Sequence, residues 1–539
     1  MQLKNTNRIY ALILIASSLA TILSITFGVF PHLGLSISFI TFSLLAFYIK
    51  TDKTALTKVF FAITLILSLS LSIRSEASIT FLNLIAIFYF GSLFALTKKD
   101  GPENAFSILF APFIFLLNSF NTASLYRLNF KDFFSEDKKR ENILNTVAVS
   151  LITLAVLAVI LPLLSSANPL FKKMITSLVD LLGLGNLKLT EDLFKWIVRL
   201  VFFSGLAYLT PKMATFVNKK ESISIFKPIG LNLLIPKIAV AVVLIIFFIA
   251  QFQLYFSSRE TLSDLGYTYS QYTNEVFAQL SIVAGIVLAL LYGDAVKKKI
   301  NNEAPHDLTV GESSPSASSG AESLRSKTSS RSSTSLRSGY FAKGDKMALA
   351  LIVEGIFLTF MAYKSVYEYS SAWGFTYKRL YGFTVATWIL GIFVIYSYTF
   401  LKNIQGKIFL IKSAVYTGII LILINIANFD FLIYRFRRAT TESGVDYHYL
   451  SRLSSDSLSY KAQLDRMVKY TPDPVGLPDK IQAEEDGIRI LLYKIEYLQN
   501  KYKHPDIRGF NLLEYLQYRQ VKDVDTSSIR SKYIQADPL

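Results

Sequence analysis

Four carboxylates stand in segments that also carry Arg and aromatic side chains. They are Glu260 and Asp264 close to Arg259, Glu368 in the run YEYSSAWGFTYKRLYG at 367–382, and Asp446 at the head of DYHYLSRLSSDSL. A carboxylate whose pKa is tuned by its surroundings can act as a general acid or base. Arg beside stacking aromatics suits a phosphate, carboxylate or sugar. The recognition candidates are therefore Arg259, Tyr267, Tyr269, Tyr272, Trp373, Thr376, Arg379, Arg435, Arg438 and Asp446, and binding requires that they converge on one cleft. The competing reading is an aromatic belt at a membrane interface, which would spread the same residue types around a perimeter with no ligand.

A second set of polar residues lies inside long apolar stretches: Arg199, Gln251, Gln253, Glu354 and Asn425. A charge at such a position costs about 2.5–3.5 kcal/mol or more unless it is paired or hydrated. Arg199 and Glu354 are thus read either as part of a polar pathway or as structural ties. For the amides, hydrogen bonding between helices is the commoner role.

Standard reaction signatures are missing. The sequence contains no GxxxxGK[ST] phosphate loop, no GxSxG elbow and no HExxH, and its four histidines, at 32, 306, 448 and 504, are scattered. With no cysteine in the chain, disulfides, thiolate metal sites and cysteine nucleophiles are excluded. No metal and no cofactor is expected. Whether the chain is an enzyme stays open at this point, with Glu260, Asp264, Glu368 or Asp446 as the candidate acid or base.

The elements that must position these residues are membrane helices. The chain has 539 residues, 52% of them hydrophobic, with a mean hydropathy of +0.39. Spanning a bilayer takes roughly 20 apolar residues. Eleven stretches qualify: Tyr10–Phe30, Leu33–Ile49, Leu56–Ile73, Ile79–Leu96, Thr146–Leu164, Leu193–Leu209, Ile238–Phe256, Val276–Tyr292, Met347–Tyr363, Leu380–Leu401 and Ile408–Ala427. Ala105–Phe120 is apolar but short and interrupted by Pro112, so it is read as interfacial or re-entrant. With the N-terminus inside, 29 Lys and Arg fall in cytoplasmic connections and 8 in the opposite ones. This bias orients the chain N-terminus in, C-terminus out. The same placement accounts for the net charge of +17, which reflects short basic loops against an anionic leaflet and not nucleic-acid binding.

The fold class that follows is all-α, a polytopic bundle of about 11 transmembrane helices with a small C-terminal extracytoplasmic helical domain. Residues 1–299 hold eight spans and 347–428 three more. Between them, 300–346 is a Ser-rich basic tract with too few apolar residues to form a core, hence a disordered cytoplasmic linker. Residues 429–539 carry a different pattern. Ile481, Ile488, Leu491, Leu492, Ile495 and Leu498 recur at helical spacing within Lys480–Tyr502. Further helices are expected over Asn511–Lys522 and over Tyr447–Lys469, the latter broken near Ser454–Ser457.

Several motifs in order carry a family resemblance: SSANPLF at 165–171, FQLYF at 252–256, GYTYSQYTNEVFAQLSIVAG from 266, AWGFTYKRLYG at 372–382, NIANFDFLIYRFRR at 425–438, DYHYLSRLSSDSL at 446–458 and IRGFNLLEYLQYR at 507–519. Over about residues 80–522 the chain resembles the bacterial polytopic family known as domain of unknown function 4173, related to 4153. The resemblance implies a multi-pass protein of the bacterial cell membrane and assigns no activity. Two function classes remain. One is a scaffold, sensor or transporter with an outer-face aromatic and Arg surface for a lipid, glycan or protein ligand. The other is a membrane-embedded envelope enzyme acting on a lipid-linked or glycan substrate at the outer interface.

Overall fold

The computed structural model describes residues 2–98, 105–121, 191–218, 343–402, 406–437, 445–470 and 478–533, with short stretches inside 237–245 and 281–291. Among them the chain is helical, with no strand. Two compact units are present: residues 1–225 with 417–539, and residues 226–416.

The first unit begins with four consecutive helices, α1 (Gln2–Ser24), α2 (His32–Ile49), α3 (Ala55–Ser70) and α4 (Ala77–Leu96), each packed on the next except that α4 also meets the short helix α6. Capping sets their starts. The Thr54 hydroxyl accepts from the Thr57 amide ahead of α3, and the Glu76 carboxylate accepts from the Ser78 and Ile79 amides ahead of α4. The first helix stops six residues short of the expected Phe30, because Gly28 adopts a positive φ of 94° and Pro31 follows. Residues 105–121 form two pieces, α5 (Ala105–Leu109) and α6 (Ala111–Asn121). At about 1.5 Å per residue neither reaches across a bilayer. Next comes α7 (Glu191–Asn218), packed on α1 and α6.

Side-chain placement in α1–α4 is that of a membrane protein. Large apolar residues such as Ile15, Ile22, Phe81 and Ile85 face outward, while Ser17, Ser36, Thr57, Thr64, Ser68 and Asn83 are buried. Several of the buried hydroxyls are paired within their own helix, although those of Ser17 and Thr80 have no hydrogen-bond partner among the described residues. Thr21, Ser38, Thr64 and Ser68 each donate to the carbonyl four residues earlier, at 2.7 or 2.8 Å. Small polar residues let the backbones approach. At Gly34 an added Cβ would lie 1.9 Å from the Leu23 carbonyl oxygen.

The second unit contains α8 (Lys343–Trp373) and α9 (Tyr377–Leu401), packed as a pair, and the first half of α10 (Gly406–Ala427). The expected span Met347–Tyr363 is a longer helix that runs on to Trp373. Consequently most of the expected outer loop at 364–379 is helical, and only Gly374–Thr376 turns the chain, at a glycine with φ of 75°. Five helices in the described residues are long and apolar enough to cross a membrane: His32–Ile49, Ala77–Leu96, Lys346–Ser371, Tyr377–Leu401 and Lys407–Ala427. The expected spans Thr146–Leu164, Ile238–Phe256 and Val276–Tyr292, and most of the tract 300–346, lie wholly or largely outside the described residues.

After α10 come α11 (Phe429–Arg435), α12 (Tyr447–Ser451), a 3-10 turn at Ser455–Ser457, α13 (Tyr460–Tyr470), α14 (Pro478–Lys503), a second turn at Ile507–Gly509, α15 (Leu512–Val521) and α16 (Thr526–Tyr533). Here the polarity reverses. Ile488, Leu491, Leu492, Ile495 and Leu498 of α14 are buried against Tyr460, Leu464, Met467 and Val521, as the heptad-like spacing requires of a helix with one aqueous face. These helices belong to the same compact unit as residues 1–225.

Candidate functional site

The C-terminal helices are joined to the membrane helices through the short connection Leu71–Glu76. Its residues coil back on the end of α3, with the amides of Ser72, Ile73 and Arg74 bonded to carbonyls of Leu69 and Ser70. That coiling turns the next carbonyls outward. Those of Ser72 and Ile73 accept from the amides of Leu512 (2.9 Å) and Leu513 (3.4 Å), and that of Arg74 accepts from Asn511 Nδ2 (2.8 Å). The Asn511 side chain also caps α15, accepting from Leu513 and Glu514.

At the centre of the seam, Arg74 Nε lies 2.9 Å from Asp456 Oδ2. Arg74 is 2% exposed and Asp456 0%. The Arg74 Nε–H is not aligned on that oxygen and Nη2 has no hydrogen-bond acceptor among the described residues, so the contact is primarily an ion pair. The other carboxylate oxygen, Oδ1, accepts from the Ser75 amide (2.8 Å) and hydroxyl (2.6 Å). Neighbouring polar groups tie the same region to the end of α10. Asn428, in the left-handed conformation at φ 46°, caps α11 and donates through Nδ2 to the Asp456 carbonyl at 2.9 Å. Asp430, fully buried, accepts from the Ser454 amide at 2.8 Å. Lys494 of α14 donates to the carbonyls of Ser451 (2.8 Å) and Leu453 (2.7 Å).

Taking these charges out of water is costly, and mutual attraction offsets the cost only when the partners stay in place. Burial pushes the Asp456 carboxyl up, against the pull of the Arg74 guanidinium and the Ser75 hydrogen bonds. Burial likewise lowers the Lys494 ammonium to about 8. The seam is therefore a polar lock. It specifies one docked arrangement, because displacement of the C-terminal helices would strand a buried cation and a buried carboxylate.

A second contact lies beside it. Arg508 is held by Asp506 (2.8 Å) and donates to the carbonyls of Ile22 and Ile25 at the end of α1, 3.3 Å each. Gly509 packs so closely on the α1–α2 turn that a Cβ there would meet Val29 Cγ1 at 2.6 Å. Hence the end of α1, the start of α2, the α3–α4 connection and the end of α10 all meet the C-terminal helices on one face. At the other ends of α2 and α4, Lys50 donates to the Ala95 carbonyl at 2.9 Å, a cation on a helix C-terminus.

The residues expected to form a recognition cleft are distributed as follows. In the second unit, Arg379 donates to the carbonyls of Trp373 (2.8 Å) and Gly374 and stacks on Tyr369, 4.1 Å from the ring centroid. It thereby gathers Trp373 and Tyr369 around the α8–α9 turn, where Thr376 is the residue ahead of α9. In the first unit, Arg435 is exposed at the end of α11 and Asp446 caps α12 by accepting from the Tyr449 amide at 2.8 Å. Arg259, Tyr267, Tyr269, Tyr272 and Arg438 lie outside the described residues, as do Gln251 and Gln253. Of the intramembrane set, Asn425 exchanges two 2.8 Å hydrogen bonds with Asn83 of α4. Arg199 lies over Trp196, 5.3 Å from its ring centroid, and Glu354 is half-buried on α8. Among the described residues no group of three or more His, Asp or Glu could hold a metal ion.

Sequence reading missed Arg74, Asn83, Asp456 and Asn511. Two signals were present. Arg74 is the lone basic residue in the short connection 73–78, and Asp456 is the one carboxylate inside SRLSSDSL. The motifs that carry the family resemblance also supply the lock: NIANFDF gives Asn425, Asn428 and Asp430, SRLSSDSL gives Ser454 and Asp456, and IRGFN gives Arg508, Gly509 and Asn511.

No curated protein and no solved structure matches the chain. A family model does, the one described as domain of unknown function (DUF4153), over residues 61–308 and 345–464. The interval between its two segments falls within the Ser-rich tract, and the matched part includes both partners of the Arg74–Asp456 pair. Lys494, Arg508 and Asn511 lie beyond that part, and the chain, with five described helices long and apolar enough to cross a membrane, belongs to the DUF4153 family.

Proposed function

We propose that the protein is a scaffold or receptor of the bacterial cytoplasmic membrane, with its N-terminus inside. On this reading its C-terminal helices form a fixed extracytoplasmic platform, and the outer aromatic and Arg surface recognises a lipid, glycan or protein ligand. The observation that supports the reading is the buried Arg74–Asp456 lock, which favours C-terminal helices held against the membrane helices over a detachable domain. A catalytic reading gains less support. Of the candidate acids and bases, Glu368 pairs with Lys364 at 3.5 Å and Asp446 caps a helix, both ordinary structural uses of a carboxylate.

The test combines topology with contact. Reporters placed after Leu539 and near Ser330 should respond as extracytoplasmic and cytoplasmic respectively. A photo-crosslinking residue at Arg435 or Phe436, both exposed, should give a discrete adduct with an envelope component in cells. Asp456→Asn should diminish that adduct, because Asn428 and Asp430 at the base of α11 are bonded to the Ser454–Asp456 segment. Two reporters in one compartment, or an adduct indifferent to Asp456→Asn, would rule the proposal out.

A further inference from the structure

Helix α15 has its polarity inverted relative to the helices beside it. Its buried positions are Glu514, Gln517 and Val521, spaced three and four apart on one face. The positions facing outward are Leu512, Tyr515, Leu516, Arg519 and Gln520, with Leu512 40% and Leu516 37% exposed. A helix with one aqueous face shows the opposite pattern, and α14 next to it does so. The buried carboxylate of Glu514 is neutralised by Lys501, itself almost fully buried, and lies 3.5 Å from the Tyr502 hydroxyl. On the inward face Glu514 is held by these pairs while Gln517 is buried with no hydrogen-bond partner among the described residues, and the outward side chains Leu512, Tyr515 and Leu516 are only partly covered by protein.

The surroundings extend that apolar face. Ile507, at the start of the turn that leads into α15, is 72% exposed, and Phe27 and Phe30 of the α1–α2 turn are exposed as well. That turn is where Gly509 packs. Phe510, Tyr515, Tyr518 and Tyr502 form a chain of ring contacts, with centroids 5.2–6.3 Å apart. Position relative to the membrane helices is fixed by backbone bonds. The Leu512 and Leu513 amides bond to Ser72 and Ile73, four to five residues before α4 begins as a candidate span at Ala77.

We propose that the segment 507–519 lies in the lipid interface of the bilayer that holds α2 and α4. Ile507, Leu512 and Leu516 enter the headgroup–acyl boundary, Tyr515 sits at headgroup level, and Arg519, exposed, meets a lipid phosphate. Interfacial helices bury their apolar face about 5–10 Å into that boundary, and tyrosines are enriched there. Continuity selects lipid as the occupant, because the face adjoins the ends of the protein's own membrane helices. The inference rests on the membrane placement of α2 and α4 and is independent of the recognition surface proposed above.

The chain has no cysteine, so single-cysteine labels read one position each. Leu512→Cys, Leu516→Cys and, as the aqueous control, Asp523→Cys (88% exposed) are labelled with an environment-sensitive fluorophore. Each full-length variant is placed in nanodiscs of phosphatidylcholine and phosphatidylglycerol. A lipid with a nitroxide high on its acyl chain should quench the Leu512 and Leu516 probes about twofold or more beyond the Asp523 probe. Aqueous iodide should do the reverse. Iodide quenching of all three probes alike would overturn the proposal. So would probes at 512 and 516 shielded from both quenchers, which would assign the face to contact with a second copy.

Discussion

Replacing Asp456 by Asn keeps an oxygen for the Ser75 amide and removes the charge that balances Arg74. The guanidinium then remains 2% exposed with no carboxylate against it. Breaking a buried pair in this way costs about 3–5 kcal/mol. At about 1.4 kcal/mol per tenfold, the ratio of docked to undocked C-terminal helices should fall on the order of 10²- to 10³-fold. The amides of Leu512 and Ser75 report on that equilibrium, since each is bonded across the seam, to Ser72 and to Asp456. Hydrogen exchange followed by mass spectrometry on the full chain in nanodiscs should show a comparable loss of protection in peptides covering 70–78 and 505–520. Peptides from α9, in the other unit, serve as the unaffected reference. Adding Arg74→Met to Asp456→Asn removes the stranded cation and should restore most of the protection. A loss smaller than about tenfold in the single variant, well short of what a stranded charge costs, would refute the lock. So would a double variant no better protected than the single one, since the cost would then not come from the uncompensated charge.

Gly34→Ala places a methyl group 1.9 Å from the Leu23 carbonyl oxygen, and backbone cannot yield as a side-chain tip does. It should destabilise the α1–α2 pair by about 1–3 kcal/mol or more and lower the melting temperature in detergent, whereas Gly205→Ala, with nothing within 4 Å, should leave it unchanged or slightly raised; equal effects would contradict the packing described. Lys494 is lowered from 10.5 to about 8 by burial. Between those values the unfolded chain still holds the proton that the folded chain has released, so stability should rise with pH across that window. Melting of the C-terminal core followed from pH 7.5 to 9.5 should show the rise, and Lys494→Met should flatten it; an unchanged slope in that variant would assign the effect to another group.

The all-helical fold and most helix limits were legible because they depend on local pattern. Apolar runs long enough to cross a bilayer gave α2, α4, α9 and α10 nearly to the residue, and the spacing from Ile481 to Leu498 gave α14. Where the limits differed, a backbone conformation intervened that hydropathy does not register. Gly28 ended α1 early, and α8 ran on to Gly374 because Ser365–Trp373, although polar and aromatic, holds no helix breaker. The aromatics and arginines clustered near span ends were also conspicuous in sequence, yet what each does is a question of partners. Arg379 holds the carbonyls of its own turn and Asp446 caps its own helix.

The lock could not be read in this way, since its parts come from three distant segments. Ser75 and Asp456 are 381 positions apart and Arg74 lies one further away, and nothing in either local sequence names the other. The sequence by itself determined the main apolar helices, which segments are apolar enough for lipid, and the C-terminal residues of α14 that form a core. Those outcomes follow from periodicity and the transfer of apolar surface, both local properties. Only the tertiary structure decided which polar residues meet in the interior and that α15 turns its apolar side outward. Burying an ion pair or an amide is favourable solely when its partner arrives from elsewhere in the chain, and the chain order does not reveal that arrival.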